Sequence, residues 1–373
     1  MRPRRAWFTL FVLVALGTRA DAADYVIQVS VDGLRGDILA TMLSQDSTHT
    51  LVGFQRFVTE GATTFNARAD YGVTVTLPNH TTMLTGRPVL QPAGQAITVH
   101  HGYTSNSDPP LATTLHNSGN LAIPYKASVF DVAHDAGLST ALYASKTKFV
   151  LFDRSYNEVN GAPDTDGIDF GRDKIGRYVS MSTGSPATAA NMNAAFVAEL
   201  RTNPPIYSFV HYVDLDAVGH SLGWGSPAWL GAVRNVDRYL RDILATVDSI
   251  PLLSGHTVVL VTADHGGFGT DHSDPNLSAD YTIPFLVWGV GIARGADLYA
   301  LNPAIRANPG TSRPDYNAVP QPIRNGEAAN LALKLLGLGP VPGSSIDLQQ
   351  DLVVAGPTPV RPATWSAMKD AFR

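Results

Sequence analysis

A carboxylate and an imidazole stand next to each other where an apolar run of the chain ends. The run from Val258 to Val261 is rich in β-branched residues, and Asp264 and His265 follow it before a Gly-Gly pair. Such a run predicts a strand buried on both faces, as in a parallel sheet covered by helices. Because open α/β sheets place ligand sites at the carboxyl ends of their strands, these two side chains, with His272 nearby, are candidate ligands for a Zn²⁺-like ion. On these residues alone, a hydrogen-bonded Asp-His pair with a structural role is the alternative.

Asp32 follows a second predicted strand, Tyr25 to Ser30, and is itself followed by glycine. One such aspartate is weak evidence, since turns often contain Asp-Gly. Two strands that end in the same way, however, indicate one site at a common edge of the sheet.

Thr76 stands at the beginning of a predicted helix. Pro78 belongs in the first turn of a helix, which places the start near Thr76 or Leu77. A hydroxyl at that position faces free backbone N–H groups and the positive end of the helix dipole, where a phosphate binds well. The simpler interpretation is that Thr76 is only a helix N-cap.

The composition limits the class of protein. The N-terminus has three arginines before an apolar stretch from Ala6 to Gly17, and Ala20-Asp21-Ala22 offers a small-residue cleavage site, so residues 1–22 are predicted to be a signal peptide. The apolar stretch is short for a membrane span, although a retained N-terminal anchor is the alternative. We expect an exported protein, periplasmic or secreted, without stable membrane insertion after cleavage.

The predicted mature chain has 23 basic and 31 acidic residues, a formal charge of −8. This acidity argues against binding to a nucleic-acid backbone. There are no cysteines, so the chain has neither disulfides nor thiolate metal ligands.

Five short segments follow one another in the order Asp32-Gly33, Thr76-Leu77-Pro78-Asn79-His80, His101 to Asn106, Asp216 to His220 and Asp264-His265-Gly266. Together they resemble the alkaline phosphatase superfamily. More narrowly, they are similar to its nucleotide pyrophosphatase/phosphodiesterase branch, whose nucleophile is a threonine in a T-x-P-N-H segment. The resemblance implies an α/β fold with a central, mostly parallel sheet and helices on both faces.

The resemblance also implies two divalent metal ions, which we expect to be Zn²⁺. One ion would be held by Asp32, Asp264, His265 and the Thr76 oxygen. The other would be held by Asp216, His220 and a further histidine, which the nucleotide-hydrolysing branch takes from near its C-terminus. No histidine follows His272 in this chain, so His272 is the ligand that we predict, as in the related phosphomutase-like branches.

In such a site Thr76 would attack phosphorus, and Asn106 would steady the non-bridging oxygens as charge develops. Water would then release the phospho-threonine intermediate, so that two displacements give net retention at phosphorus. The expected substrate is a small phosphoester, with phosphodiesters or nucleotide pyrophosphates favoured.

Two features bear on the choice of substrate. Lys146 and Lys148 resemble the S-K-x-R segment with which some phosphate-monoester hydrolases of the superfamily hold extra phosphate charge, which makes a phosphomonoesterase the alternative. Solvated surface lysines are the simpler interpretation. Nucleotide-hydrolysing relatives commonly have an aromatic residue after the nucleophile, and here that position is Leu77, a tentative substrate contact.

The rest of the chain fits a single domain over residues 23–373. Residues 91–125 and 151–183 lack strong periodicity and are predicted to be insertions that form a cap. Pro284 indicates an edge strand or an irregular start for the strand Thr282 to Gly289. Other histidines, among them His211, are predicted to have core or surface roles, and His80 is predicted to pack behind Thr76.

Two further classes of function stay open from the sequence. One is a non-catalytic protein that binds a phosphate ligand on the same scaffold. The other is a phosphotransferase that uses an acceptor other than water. All seven proposed metal-ligand positions carry suitable residues, which favours the hydrolase.

Overall fold

The computed structural model describes residues 23–165, 167–181 and 188–356. The predicted signal peptide lies outside these ranges. None of the helices in them combines the length and the apolar character that a membrane crossing requires.

One eight-stranded sheet forms the centre of the described chain. Its order is β4-β3-β5-β1-β6-β7-β2-β8. Neighbouring strands run parallel except where β7 lies between β6 and β2, antiparallel to both. The strands are β1 Tyr25–Val31, β2 Ala62–Arg68, β3 Thr140–Ala144, β4 Arg177–Ser180, β5 Tyr207–Tyr212, β6 Thr257–Thr262, β7 Thr282–Gly289 and β8 Ala296–Asp297. This is the mostly parallel sheet that the sequence predicts.

Helices connect these strands and contribute to the core. They are α1 Gly36–Gln45, α2 Val52–Glu60, α3 Thr76–Thr85, α4 Leu115–Ser118, α5 Val129–Asp135, α6 Val150–Ser155, α7 Ala189–Thr202, α8 Asp214–Leu222, α9 Pro227–Ser249, α10 Ser278–Tyr281, α11 Leu298–Leu301 and α12 Glu327–Leu335. Short 3₁₀ helices cover Ile97–Val99 and Thr147–Phe149. The longest, α9, buries an apolar stripe that includes Trp229, Val236 and Leu240.

The sheet register brings the carboxyl ends of three strands together. β1 is central and pairs in parallel with β5 on one side and β6 on the other. Every residue of β5 and β6 is buried, as the continuous apolar run of β6 predicts. The residues that follow β1, β5 and β6 therefore emerge next to one another at a single edge.

The structure decides between two predictions for Pro284 and corrects one for residues 151–183. β7 is an interior strand, so Pro284 does not mark an edge but an irregularity in the strand pairing. Its missing N–H is tolerated because the register of β2 shifts between Thr64 and Ala67, opposite Pro284. Residues 151–183 do not all belong to a cap either, because Arg177–Ser180 forms β4 and extends the sheet beside β3.

The helix α3 is buried along its whole length. All ten of its residues are buried, and it ends at Gly86, whose φ of 62° is the left-handed conformation that glycine adopts without strain. Backbone N–H groups of Ser345 and Ile346 donate to the Gly86 carbonyl at 2.9 Å. The helix that begins at Thr76 is thus held firmly at its far end.

Candidate metal centre

Three buried ligand groups meet at the ends of β1 and β6. We call Asp32, Asp264 and His265 the first cluster; each offers a ligand atom within 4.8 Å of the others. His265 Nε2 lies 3.3 Å from Asp32 Oδ1 and 3.2 Å from Asp264 Oδ2. The backbone N–H of Gly33 donates to Asp264 Oδ1 at 3.1 Å, which ties the two strand ends together.

A second group lies beside it. We call Asp216, His220 and His272 the second cluster; its ligand atoms also lie within 4.8 Å of one another. Asp216 and His220 are four residues apart on α8, so both side chains project from one face of the helix. The Nε2 atoms of His220 and His272 lie 3.3 and 3.5 Å from Asp216 Oδ1.

All three imidazoles are oriented in the same way. The Nδ1 atoms of His265, His220 and His272 lie 2.8, 2.9 and 2.6 Å from the backbone carbonyl oxygens of Gly266, Thr270 and Thr74 respectively. A carbonyl oxygen can only accept, so Nδ1 carries the proton in each ring. In the neutral ring Nε2 then presents its lone pair, as a metal-ligating histidine requires.

The donor set fits divalent cations. Four buried atoms of the two clusters have no hydrogen-bond partner, namely Asp32 Oδ1, Asp216 Oδ1, Asp264 Oδ2 and His265 Nε2. Buried polar atoms are nearly always satisfied, and a group of orphaned atoms that converge requires an explanation. Each cluster offers three oxygen or imidazole ligands. Such a set suits a Zn²⁺ ion whose fourth coordination position stays open.

The two clusters are in direct contact. The rings of His265 and His272 stack with their centroids 3.6 Å apart, and His265 Nε2 lies 3.9 Å from Asp216 Oδ1. The clusters therefore form one continuous site rather than two separate ones.

Thr76 lies at the first position of α3 and is almost completely buried. Its hydroxyl is 3.3 Å from Nζ of Lys146. The same ammonium lies 2.7 Å from Asp32 Oδ2 and 2.7 Å from Asp216 Oδ2. Lys146 thus contacts the predicted nucleophile and one carboxylate from each cluster, and it is not a solvated surface lysine.

Other residues of the T-x-P-N-H segment hold Thr76 in place. His80 Nδ1 lies 2.8 Å from the Thr76 carbonyl, and its Nε2 lies 2.8 Å from Ser30 Oγ. The Asn79 amide donates to the carbonyls of Val73 and Val75 at 2.7 and 3.2 Å. These contacts fix the chain that enters α3, and they place His80 behind Thr76 as the sequence predicts.

Asn106 and Lys148 lie beside the N-terminus of α3. Asn106 Oδ1 accepts the backbone N–H of Leu77 at 3.0 Å, and Lys148 Nζ lies 2.6 Å from the Asn106 carbonyl and 3.3 Å from Oδ1. Since Oδ1 is engaged, the amide nitrogen of Asn106 is the atom suited to donate to a substrate oxygen. The Leu77 side chain is fully buried in the core, so its position does not support the predicted substrate contact.

The electrostatics of the site favour a bound cation. Burial alone would raise the pKa of Asp32, but Lys146, His211 and His265 hold it well below its usual value. Burial and the neighbouring Asp32 carboxylate raise the pKa of Asp264 to about 8. Burial lowers the pKa of His272 to about 3, helped by His265, so that ring is neutral. Burial would lower the pKa of His265, but the carboxylates of Asp264 and Asp32 raise it to about 9. Without a metal ion, Asp264 and His265 therefore both hold a proton near neutral pH, and bound cations would take the place of these protons.

Sequence reasoning missed the role of His211. The residue is buried in β5, as predicted for a core histidine, but its Nε2 lies 3.0 Å from Asp32 Oδ2. Its ring also packs at 4.2 Å against Phe149. A histidine inside a strand that is predicted to be buried was the available signal. The contact depends on the pairing of β5 with β1, which the sequence does not show.

A third acidic group, His134, Asp135 and Asp164, has a protein cation inside it. Lys174 is fully buried, lies 3.1 Å from Asp135 Oδ1 and also pairs with Asp164. The ammonium balances this charge, so the group is a structural ion-pair network.

Comparison with known proteins identifies the class. The profile of the family described as type I phosphodiesterase / nucleotide pyrophosphatase matches residues 26–329. The chain therefore belongs to this family, and so to the hydrolases that act on phosphoester bonds. Its sheet and helices have the same fold as a solved alkaline phosphatase.

Solved structures share this fold at low sequence identity. One is murine ectonucleotide pyrophosphatase/phosphodiesterase 5, solved as an inactive threonine-to-alanine variant in complex with AMP. It is 15% identical to this chain with a TM-score of 0.57, and the match covers 88% of this chain and 99% of the murine chain. A variant of the alkaline phosphatase PafA is 14% identical with a TM-score of 0.57 and covers 90% of this chain and 99% of its own.

One curated relative has a longer chain. GPI ethanolamine phosphate transferase 1 of Neurospora crassa is 28% identical over 110 residues, which cover 28% of this chain and 10% of that protein. The matched region spans only about a tenth of the relative's length.

Proposed function

We propose that this protein is an exported, two-metal hydrolase of phosphodiesters or nucleotide pyrophosphates that works through a phospho-Thr76 intermediate. The observation that carries the proposal is that one ammonium, Lys146 Nζ, contacts the Thr76 hydroxyl at the start of α3 and a carboxylate of each ligand cluster. A binding protein would not need a buried hydroxyl among two sets of metal ligands.

The two clusters would each hold one divalent ion, most simply Zn²⁺. Such ions lower the pKa of a bound hydroxyl and neutralise the charge of a phosphoryl group. The first cluster, together with Thr76, is the more buried of the two. The chain's own part is to hold the ligands in the correct tautomers and to exclude water from the nucleophile.

Thr76 Oγ, after loss of its proton, would attack phosphorus and form a new P–O bond while the alcohol or phosphate leaving group departs. The free N–H groups at the start of α3 and the Asn106 amide would stabilise the charge on the non-bridging oxygens. Water would then attack the same phosphorus from the opposite side, break the bond to Oγ and restore the Thr76 hydroxyl. Each displacement inverts phosphorus, so the overall course is retention.

A phosphomonoesterase is the second candidate, and the position of Lys146 favours it. Its ammonium lies within hydrogen-bonding distance of Thr76 Oγ1, where it would also reach a phosphoryl oxygen. A dianionic monoester gains more from two nearby ammonium groups than a monoanionic diester does. The PafA variant with the same fold carries substitutions at a lysine and an arginine two positions apart, the spacing of Lys146 and Lys148.

A phosphotransferase would use the same intermediate but release it to an alcohol instead of water. The name of the Neurospora relative points to this chemistry, although the match covers a small part of that protein. Product analysis in the presence of added alcohols separates the two outcomes.

The first test compares an aryl phosphodiester with the matching aryl monoester, using mature zinc-loaded protein and the variant Thr76→Ala as the blank. We expect Thr76-dependent hydrolysis with the diester preferred. A monoester preference would assign the deciding role to the two lysines. Activity that persists in Thr76→Ala would contradict the proposed nucleophile.

Export is tested separately. We expect the protein expressed from the full sequence in a Gram-negative host to be recovered in the periplasmic fraction with Ala23 near its N-terminus. An intact N-terminus in the membrane fraction would indicate the retained anchor.

A further inference from the structure

We infer that Trp224 is a positioning residue that fixes the second cluster against the first and thereby sets the affinity of the second metal site. The inference rests on the proposed two-metal function. Trp224 lies just after α8, four residues beyond His220, and only 7% of it is exposed. Nothing in its position relative to the motifs in the sequence assigns it a role.

Trp224 contacts three of the four chain segments that carry proposed metal ligands; the fourth carries Thr76. Its Nε1–H donates to the carbonyl of Gly33 at 2.9 Å, next to Asp32. The backbone N–H of Trp224 donates to the carbonyl of Gly269 at 2.8 Å, in the turn between His265 and His272. These two hydrogen bonds join the end of β1, the end of α8 and the turn after β6.

The ring of Trp224 packs against both histidines of the second cluster. Its centroid lies 5.3 Å from that of His220 and 5.8 Å from that of His272, with interplanar angles of 82° and 66°. An edge-on aromatic contact restricts the rotation of an imidazole without using either nitrogen. This matters most for His220, whose side chain is 46% exposed.

Two glycines next to the ligands leave the space that this ring occupies. A Cβ on Gly219 would lie 2.5 Å from the Trp224 ring, and one on Gly267 would lie 2.3 Å from it. At both positions the three nearest atoms are all from Trp224. The glycines of the D-x-x-G-H and D-H-G-G segments are therefore required here by one side chain, and a larger residue at either would push the ring away from the histidines.

Groups that orient metal ligands from outside commonly contribute about 10–100-fold to metal affinity. We therefore expect Trp224→Leu to lower the affinity for one of the two zinc ions by roughly 10–100-fold. The affinity for the other ion should stay within about twofold of wild type. Trp224→Phe keeps the ring packing but loses the hydrogen bond to Gly33, so it should give a smaller loss.

The experiment measures both zinc dissociation constants of the full-length mature protein by competition with a chromophoric chelator. Trp229→Phe is the matched control, because Trp229 is a fully buried indole on α9. It should leave both constants unchanged. An equal loss of both ions in the control and in the Trp224 variants would indicate general destabilisation and overturn the inference.

A double variant keeps the inference testable if Trp224→Leu folds poorly. Gly267→Ala alone should weaken the second ion because its methyl group displaces the indole. In the Gly267→Ala background, Trp224→Ala should cause little further loss of zinc affinity, because the ring has already been displaced from the histidines. Additive losses would contradict the proposed role.

The outcomes also separate this inference from the proposed function. Two tightly bound ions in wild type and in all Trp224 variants would overturn the role of Trp224 and leave the two-metal hydrolase intact. Fewer than two ions in the wild-type protein would overturn both.

Discussion

The two ligand clusters differ in how the fold builds them. The first cluster lies at the ends of two neighbouring strands, and the side chains of all three of its residues are completely buried. The second cluster comes from a helix and a turn, and its His220 side chain is nearly half exposed. Strand register fixes the first, whereas the second depends on the packing of α8 and the turn against each other.

This difference assigns different tasks to the two halves of one site. The buried half, which we propose to bind the Thr76 oxygen, is suited to hold the nucleophile in an environment that excludes water. The more open half faces solvent and is suited to admit a substrate and the water that ends the reaction.

Replacing the nucleophile should have the largest effect. We expect Thr76→Ala to lower turnover roughly 10⁴-fold or more, since a covalent mechanism loses its first step. Both metal ions should remain, because six other ligands are unchanged. Turnover within tenfold of wild type would show that the buried half does not supply the nucleophile. Thr81→Ala, on the same buried helix, is the control for packing.

Removing one carboxylate from each half tests the comparison directly. We expect Asp264→Asn and Asp216→Asn each to lower activity by roughly 100-fold or more, because loss of a direct ligand should exceed the effect of an orienting residue. Elemental analysis after dialysis should then show about one ion per chain in each variant. In the wild-type protein, a chelator should remove the ion of the exposed second cluster first. Release of both ions together would contradict the proposed difference.

His211 should affect the metal site through its contact with Asp32. We expect His211→Phe to weaken the ion of the first cluster by about tenfold, since Asp32 loses the imidazole that orients it. Phe149→Leu removes the ring that packs on His211 but keeps the hydrogen bond, so it should have a smaller effect on metal affinity. Competition with a chelator provides the measurement. An unchanged constant in His211→Phe would mean that the sheet alone positions Asp32.

The smallest effect should come from Lys148. Its ammonium contacts Asn106 rather than either cluster, so we expect Lys148→Met to change diester turnover by less than about tenfold. Monoester turnover should fall further, which would alter the ratio of the two rates. An equal loss on both substrates would indicate that Lys148 acts only by holding Asn106.

Much of this arrangement could be predicted from the sequence, because local patterns carry it. The apolar run of β6, the start of α3 at Thr76 and the strand ends at Asp32 and Asp264 each depend on residues close together in the chain. Contacts that depend on the order of strands could not be predicted. The interior position of β7, the strand β4 within residues 151–183 and the pairing of His211 with Asp32 all arise from partners far apart in sequence.

Two side chains show the same limit at the site itself. Leu77 follows the nucleophile, but the direction in which α3 packs sends its side chain into the core. Trp224 looks like one of several aromatic residues in a loop, yet it contacts both histidines of the second cluster. In both cases the packing of a whole helix decides what one residue does.

The central claim is that Thr76 carries the phosphoryl group between two displacements. The stereochemical course tests it most directly. A phosphorothioate diester of defined configuration at phosphorus should be hydrolysed in isotopically labelled water, and the configuration of the product determined. We predict net retention. Net inversion would show a single direct attack by water and would contradict a covalent intermediate on Thr76.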